Sequence, residues 1–243
     1  MTITPDFSAA STAVTAAVAG YLLLGEPFAG RRMYGSLARR RDTEPRALVR
    51  YFGVLLAAWW ALAALAVAAL LLSPGASAAD FGLALPERPV YVVIALIVVG
   101  TVAVVSSRNF HDLARRGKNV PGLAPIAAML PRTPEERRLA VAVAVTDGLC
   151  SELVYRGLLI AFGVGALGLD LYAAAALSVL AYTVAGWYQG RQGLLVFAVF
   201  GTVLAGLYLA SGSLLLPVVV HVILSVRDLT LPAPTTLRAA PSA

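Results

Sequence analysis

Residues 90–105 read VYVVIALIVVGTVAVV, an uninterrupted apolar run without a charge. The strands of a transmembrane β-barrel alternate polar and apolar residues in segments of about ten, and this run does not alternate. Its length instead approaches the roughly 20 residues that cross about 30 Å of hydrocarbon as a helix. Working outward, six further apolar segments lie near residues 9–24, 51–72, 139–167, 171–189, 194–210 and 214–229. The expected fold is therefore all-α, a polytopic transmembrane helical bundle of seven spans.

Composition leads to the same class. Of 243 residues, 59% are hydrophobic and 13% charged, where soluble domains carry roughly 25% charged residues. A mean hydropathy of +0.81 makes lipid the main solvent and multi-pass insertion in a cell membrane the expected localisation. Net charge is +6, but the basic residues fall between apolar runs, which points to membrane lipids as partners and away from nucleic acid. The single cysteine, Cys150, excludes an intrachain disulfide. The first segment lacks the positively charged start of a signal peptide and reads as a retained helix.

Lys and Arg placement gives an expected orientation, because cytoplasmic loops collect positive charge. Arg31, Arg32, Arg39, Arg40, Arg41, Arg46 and Arg50 lie between the first two segments. Arg108, Arg115, Arg116, Lys118, Arg132, Arg137 and Arg138 lie between the third and fourth. Together these are fourteen of the 19 Lys and Arg. Both connections are expected in the cytoplasm, with the N-terminus outside and the C-terminus inside. Residues 1–132 read as N-terminal helices and basic loops, 133–230 as a helical core and 231–243 as a Pro-, Ala- and Ser-rich disordered tail. Residues 123–130 read equally as loop or short interfacial helix. Thr133-Pro134-Glu135-Glu136 has the form of a helix start, with a capping hydroxyl, a proline and acids at the positive end of the dipole.

Ionisable residues inside spans need a partner or a purpose. Asp147, Glu152 and Arg156 crowd the fourth segment, and His221 with Ser225 one turn later occupies the seventh. Glu152 and Arg156, four residues apart, share a face and are expected to pair. The reading of that pair stays open between helix-to-helix glue and chemistry. Pro217, four residues before His221, is expected to loosen the seventh helix. Two histidines, His111 and His221, are too few for a usual multi-His site, so neither a metal nor any other cofactor is expected.

Three motifs carry a resemblance. Ser151-Glu152-Leu153-Val154-Tyr155-Arg156-Gly157 resembles E-E-x-x-x-R-G. AYTVAGWYQG at residues 181–190 is similar to F-x-x-x-H followed by Tyr-Gln-Gly, with Tyr182 for the Phe and Gly186 for the His. Gly212-Ser213 and Pro217 leading to His221 and Ser225 resembles H-x-x-x-N. In this order and spacing they resemble the CAAX-processing and bacteriocin-processing (CPBP, or ABI) intramembrane protease family. The resemblance implies that the first glutamate and the second-motif histidine activate water, while the third-motif histidine and Asn stabilise the oxyanion. Glu152, Arg156 and His221 are retained, whereas Ser151, Gly186 and Ser225 stand at replaced positions.

Neither Ser nor Gly supplies a base titrating near neutral pH. The expectation is thus a catalytically impaired member acting as a membrane adaptor or peptide-binding protein, with membrane-protein or C-terminal peptide ligands. An active endopeptidase using Asp147 or Glu152 as base is the alternative. A serine nucleophile at Ser151 would need an acid partner for His221, and none is evident in the sequence. A small-solute transporter, the third class, predicts an inverted repeat that the sequence does not display.

Overall fold

The computed structural model describes residues 1–86, 89–116, 118 and 123–230. The expected tail, 231–243, lies outside the described residues. Everything regular among them is helical, apart from one antiparallel bridge between Asp6 and Gly75.

Helix α1 (Ala9–Gly20) runs through a π-helical turn (Tyr21–Gly25) into α2 (Glu26–Arg40). Pro27 explains the irregularity: it has no N–H for the preceding turn, and its ring crowds the carbonyl four residues back. The structure corrects one expectation here. The first basic connection is not a loop from Leu24 onward, because Arg31, Arg32, Arg39 and Arg40 are carried on α2 and the turn spans only Arg41 to Arg46. Helices α3 (Ala47–Leu71) and α4 (Pro89–Arg115) follow. A 3₁₀ helix (Ala124–Met129) occupies the stretch that the sequence left undecided.

Helix α5 (Pro134–Glu152) starts where expected, with the Thr133 hydroxyl accepting from Glu136 N–H. It passes through a second π-helical stretch (Leu153–Leu159) into α6 (Ile160–Gly165). Helix α7 (Leu171–Ala185), a 3₁₀ turn (Gly186–Gln189) and α8 (Gly190–Ser211) form an antiparallel hairpin. The reversal needs φ of 73° at Gly190, a region open to glycine without steric cost. Helix α9 (Leu215–Thr230) closes the bundle.

Five helical stretches are long and apolar enough to cross a membrane: Ala9–Arg40, Ala47–Leu71, Val92–Leu113, Pro134–Gly165 and Leu171–Ser211. The last contains the whole α7–α8 hairpin, and α9, at 16 residues, falls short of the roughly 20 required. Pro217 is a second correction. It lies in the first turn of α9, where its missing N–H would be unpaired anyway, so it starts the helix instead of loosening it.

Helices meet through small residues, as they do in lipid. Ser11 of α1 donates to the Ala69 carbonyl of α3 at 2.7 Å, and Ala66 and Ala69 are fully buried beside it. A Cβ on Gly148 of α5 would stand 2.6 Å from Val222 of α9. The Val93, Ile94, Ile97 and Val98 side chains of α4 stay exposed and face lipid.

Two clasps fix the ends. At one, the Arg41 guanidinium donates to both Glu136 oxygens at 2.8 Å and to the carbonyls of Ala128 and Leu130, with both partners buried. At the other, Asp80 accepts from Thr4 N–H at 3.0 Å, and Leu214 N–H donates to the Gly82 carbonyl at 2.9 Å.

Candidate functional site

Glu152, the last residue of α5, leads into the π-helical stretch that carries Arg156. One Glu152 oxygen accepts from Arg156 at 3.1 Å and lies 2.8 Å from His221 Nδ1. The expected i, i+4 pair is present, and both side chains are wholly buried. Arg156 donates further to the Gly201 carbonyl of α8 at 3.0 Å and lies over the Tyr182 ring, 4.5 Å from its centroid. The site is thereby tied to α5, α7, α8 and α9 at once.

His221 faces two carboxylates. Its Nδ1 meets Glu152, and its Nε2 is 3.5 Å from an oxygen of Asp147. Sequence reading found no acid partner for this histidine, because Asp147 and Glu152 are 74 and 69 positions away along the chain and only the close α5–α9 contact at Gly148 brings them alongside. Phe200 and Tyr182 wall the ring, at 5.0 and 6.3 Å between centroids with near-perpendicular planes.

Ser151 Oγ is 3.4 Å from His221 Nδ1, and Ser151 is fully buried. Ser151 Oγ and a Glu152 oxygen thus converge on one ring nitrogen, with the carboxylate the closer of the two. The other Glu152 oxygen and Arg156 Nε are buried and meet no hydrogen-bond partner among the described residues.

A cavity of about 740 Å³ opens over this cluster. Asp147, His221 and Ser225 supply its polar floor, Tyr182, Phe197 and Phe200 its walls, and Gln189, Gln192, Arg227 and Asp228 also line it. Asp147 is a third exposed, while Glu152 and Arg156 lie sealed beneath. The cavity also touches the 3₁₀ helix at Ala124, Ile126 and Met129.

Gly186 lies at the foot of α7, against the Phe197 ring. A Cβ there would be 2.6 Å from Phe197 Cγ, so the space a larger residue would need is filled from α8. The helix carrying Glu152 extends well beyond the site on the Arg41 side, and α7 is short.

One partly buried carboxylate has no clear signal in the sequence. Glu26 accepts from the Tyr155 hydroxyl at 3.1 Å. The apolar run stops at Leu24, and Pro27 just beyond it suits a π-turn as well as a helix end.

This geometry joins the third-motif histidine to the first-motif glutamate and arginine across one interface. Residues 134–226 match the family model described as type II CAAX prenyl endopeptidase Rce1-like. The chain carries an Rce1-like core. The match begins at the first residue of α5 and ends one position beyond Ser225 in α9, spanning every residue of the cluster and the Gly186 turn. No curated protein and no solved structure matches the chain.

Proposed function

We propose that this Rce1-like membrane protein binds a membrane-embedded or C-terminal peptide in the cavity above His221 and acts as an adaptor without the hydrolytic route of its family. The supporting observation is the Gly186–Phe197 contact, in which an aromatic ring takes the volume that a second-motif histidine would need. Ser151 adds to it, being buried and without a carboxylate. The cavity itself has the size of ligand sites, which run from about 300 to 1,000 Å³, and combines apolar walls with a few convergent polar groups. The basic ends of α2 and α5 face the cytoplasm in this reading, with the cavity entered from that side and the protein resident in the cell membrane.

Asp147 supports a second reading, an active endopeptidase. Its carboxylate reaches the cavity and is oriented by His221, which Glu152 and Arg156 back from below. In that role Asp147 would take the proton of an attacking water, and His221 would orient it.

Reconstituted protein offered a prenylated C-terminal peptide library separates the two. The adaptor reading expects no cleavage, together with photocrosslinking of a peptide from position Gln192 or Ser225. Cleavage abolished by Asp147→Asn would replace it with the endopeptidase reading. Restoring the family residues calls for Ser151→Glu and Gly186→His combined with Phe197→Ala, since the ring must leave before the imidazole can enter. Cleavage by that triple variant alone is the expected gain of function.

A further inference from the structure

Away from the cavity, α2 carries the sequence RRMYGSLARR from Arg31 to Arg40, symmetric about Gly35-Ser36. On a helix, residues 28, 32, 36 and 40 form one row and 31, 35 and 39 the next. Gly35 and Ser36 therefore sit side by side, with an arginine pair one turn above and another one turn below. The structure holds a pocket of about 480 Å³ there, lined by Phe28, Arg31, Arg32, Gly35, Ser36, Arg39 and Arg40.

Most of its charge is uncompensated among the described residues. Arg41, Arg46, Arg50 and Arg132 each meet a carboxylate, and Arg40 reaches Glu44 at 3.6 Å. Arg31, Arg32 and Arg39 meet none among the described residues. All three are exposed. Their level in the bilayer follows from length, because about 20 residues from Ala9 bring the helix to Phe28, at the edge of the hydrocarbon. Below the pocket, Leu24 and Phe28 are 72% and 67% exposed, and Phe28 packs beside Trp187, a residue type that favours the interface.

We propose that this pocket binds the phosphodiester headgroup of an anionic phospholipid, with Leu24 and Phe28 as the track for its acyl chain. Guanidinium groups match phosphate oxygens two at a time, which a diffuse basic surface does not require. The apolar track commits the site to a lipid over a soluble anion, and the site is independent of the cavity and of what it binds.

Native mass spectrometry of the full chain, with phosphatidylglycerol and phosphatidylcholine as probes, tests it. Phosphatidylglycerol is expected to be retained preferentially. The triple variant Arg31→Gln, Arg32→Gln, Arg39→Gln should lose about a hundredfold in that affinity, from a contribution of about 1 kcal/mol for each basic residue at an anionic surface. Gly35→Leu, which fills the seat and keeps every charge, should lose most of the preference; its Cβ meets only the Arg39 guanidinium, at 3.4 Å. The charge-matched variant Arg108→Gln, Arg137→Gln, Arg138→Gln should retain it. An equal loss in that control, an unaffected Gly35→Leu, or full displacement of the lipid by inorganic phosphate would each overturn the assignment.

Discussion

Glu152 is where burial and charge meet most directly. It and Arg156 are wholly inside the protein, so removing the carboxylate leaves a cation with only a carbonyl and a ring face for company. Breaking a buried pair from one side costs about 3–5 kcal/mol, and Glu152→Ala is expected to destabilise the protein by that order in unfolding from mixed micelles. Asp147→Asn, at a third exposed, should move stability far less. Equal losses for the two would contradict the buried role given to Glu152. The pairing of Glu152 with Arg156 was legible in the sequence because i, i+4 spacing is a local rule. The two acid partners of His221 were not, since they depend on how closely α9 approaches α5, which a glycine permits and a motif does not specify.

At the scale of elements, the clasps carry the predictions. Arg41→Ala strands Glu136 and frees the carbonyls of Ala128 and Leu130. An expected loss of about 3–5 kcal/mol follows from the same one-sided rule, while the paired change Arg41→Met with Glu136→Leu should lose clearly less. Unfolding of the single and paired variants measures the difference. In the opposite clasp, burial works against the Asp80 charge, yet bonds from the Ser77 hydroxyl, the Ser77 N–H and the Thr4 N–H hold its carboxyl below the ordinary carboxylate range. A group depressed on folding contributes fully above its unfolded value, near 3.9, and loses that contribution as pH falls through the folded one. The protection of the Thr4 amide, the intrinsic exchange rate at the same pH divided by the observed one, should therefore fall on acidification below about pH 4, and Asp80→Ala should show the low protection at neutral pH already. Helix positions were legible from apolar runs, and the α5 start from Thr133 and Pro134. The continuation of α1 into α2 was not, because beyond Leu24 the composition turns basic and the hydropathy signal ends while the backbone hydrogen bonding goes on.

For the molecule as a whole, the distribution of arginines predicts which end meets which compartment. The Arg41–Glu136 clasp, the arginines of α2 and the start of α5 share one end, and the N-terminal residues with Asp80 share the other. Cys150 is buried, so a cysteine introduced at the surface is the accessible thiol. An impermeant maleimide should label Ser77→Cys on intact cells and Asp42→Cys only after permeabilisation; the reverse pattern would invert the orientation. Membrane residence and the helical class were readable from composition alone. The division of a membrane protein into spans was less so: α7 and α8 are two apolar runs that the sequence separates, but they turn back on each other within one continuous helical stretch, and α9 is too short to cross by itself.

The contact between Gly186 and Phe197 also bears on the history open to this chain. A histidine arriving at 186 by a single change meets a ring 2.6 Å from its first carbon, and overpacking of that kind typically costs about 1–3 kcal/mol. Shrinking Phe197 first opens a void beside Tyr182, which is also unfavourable. Either order of steps passes through a destabilised intermediate, so the two residues hold each other in place and a single substitution at either position is opposed.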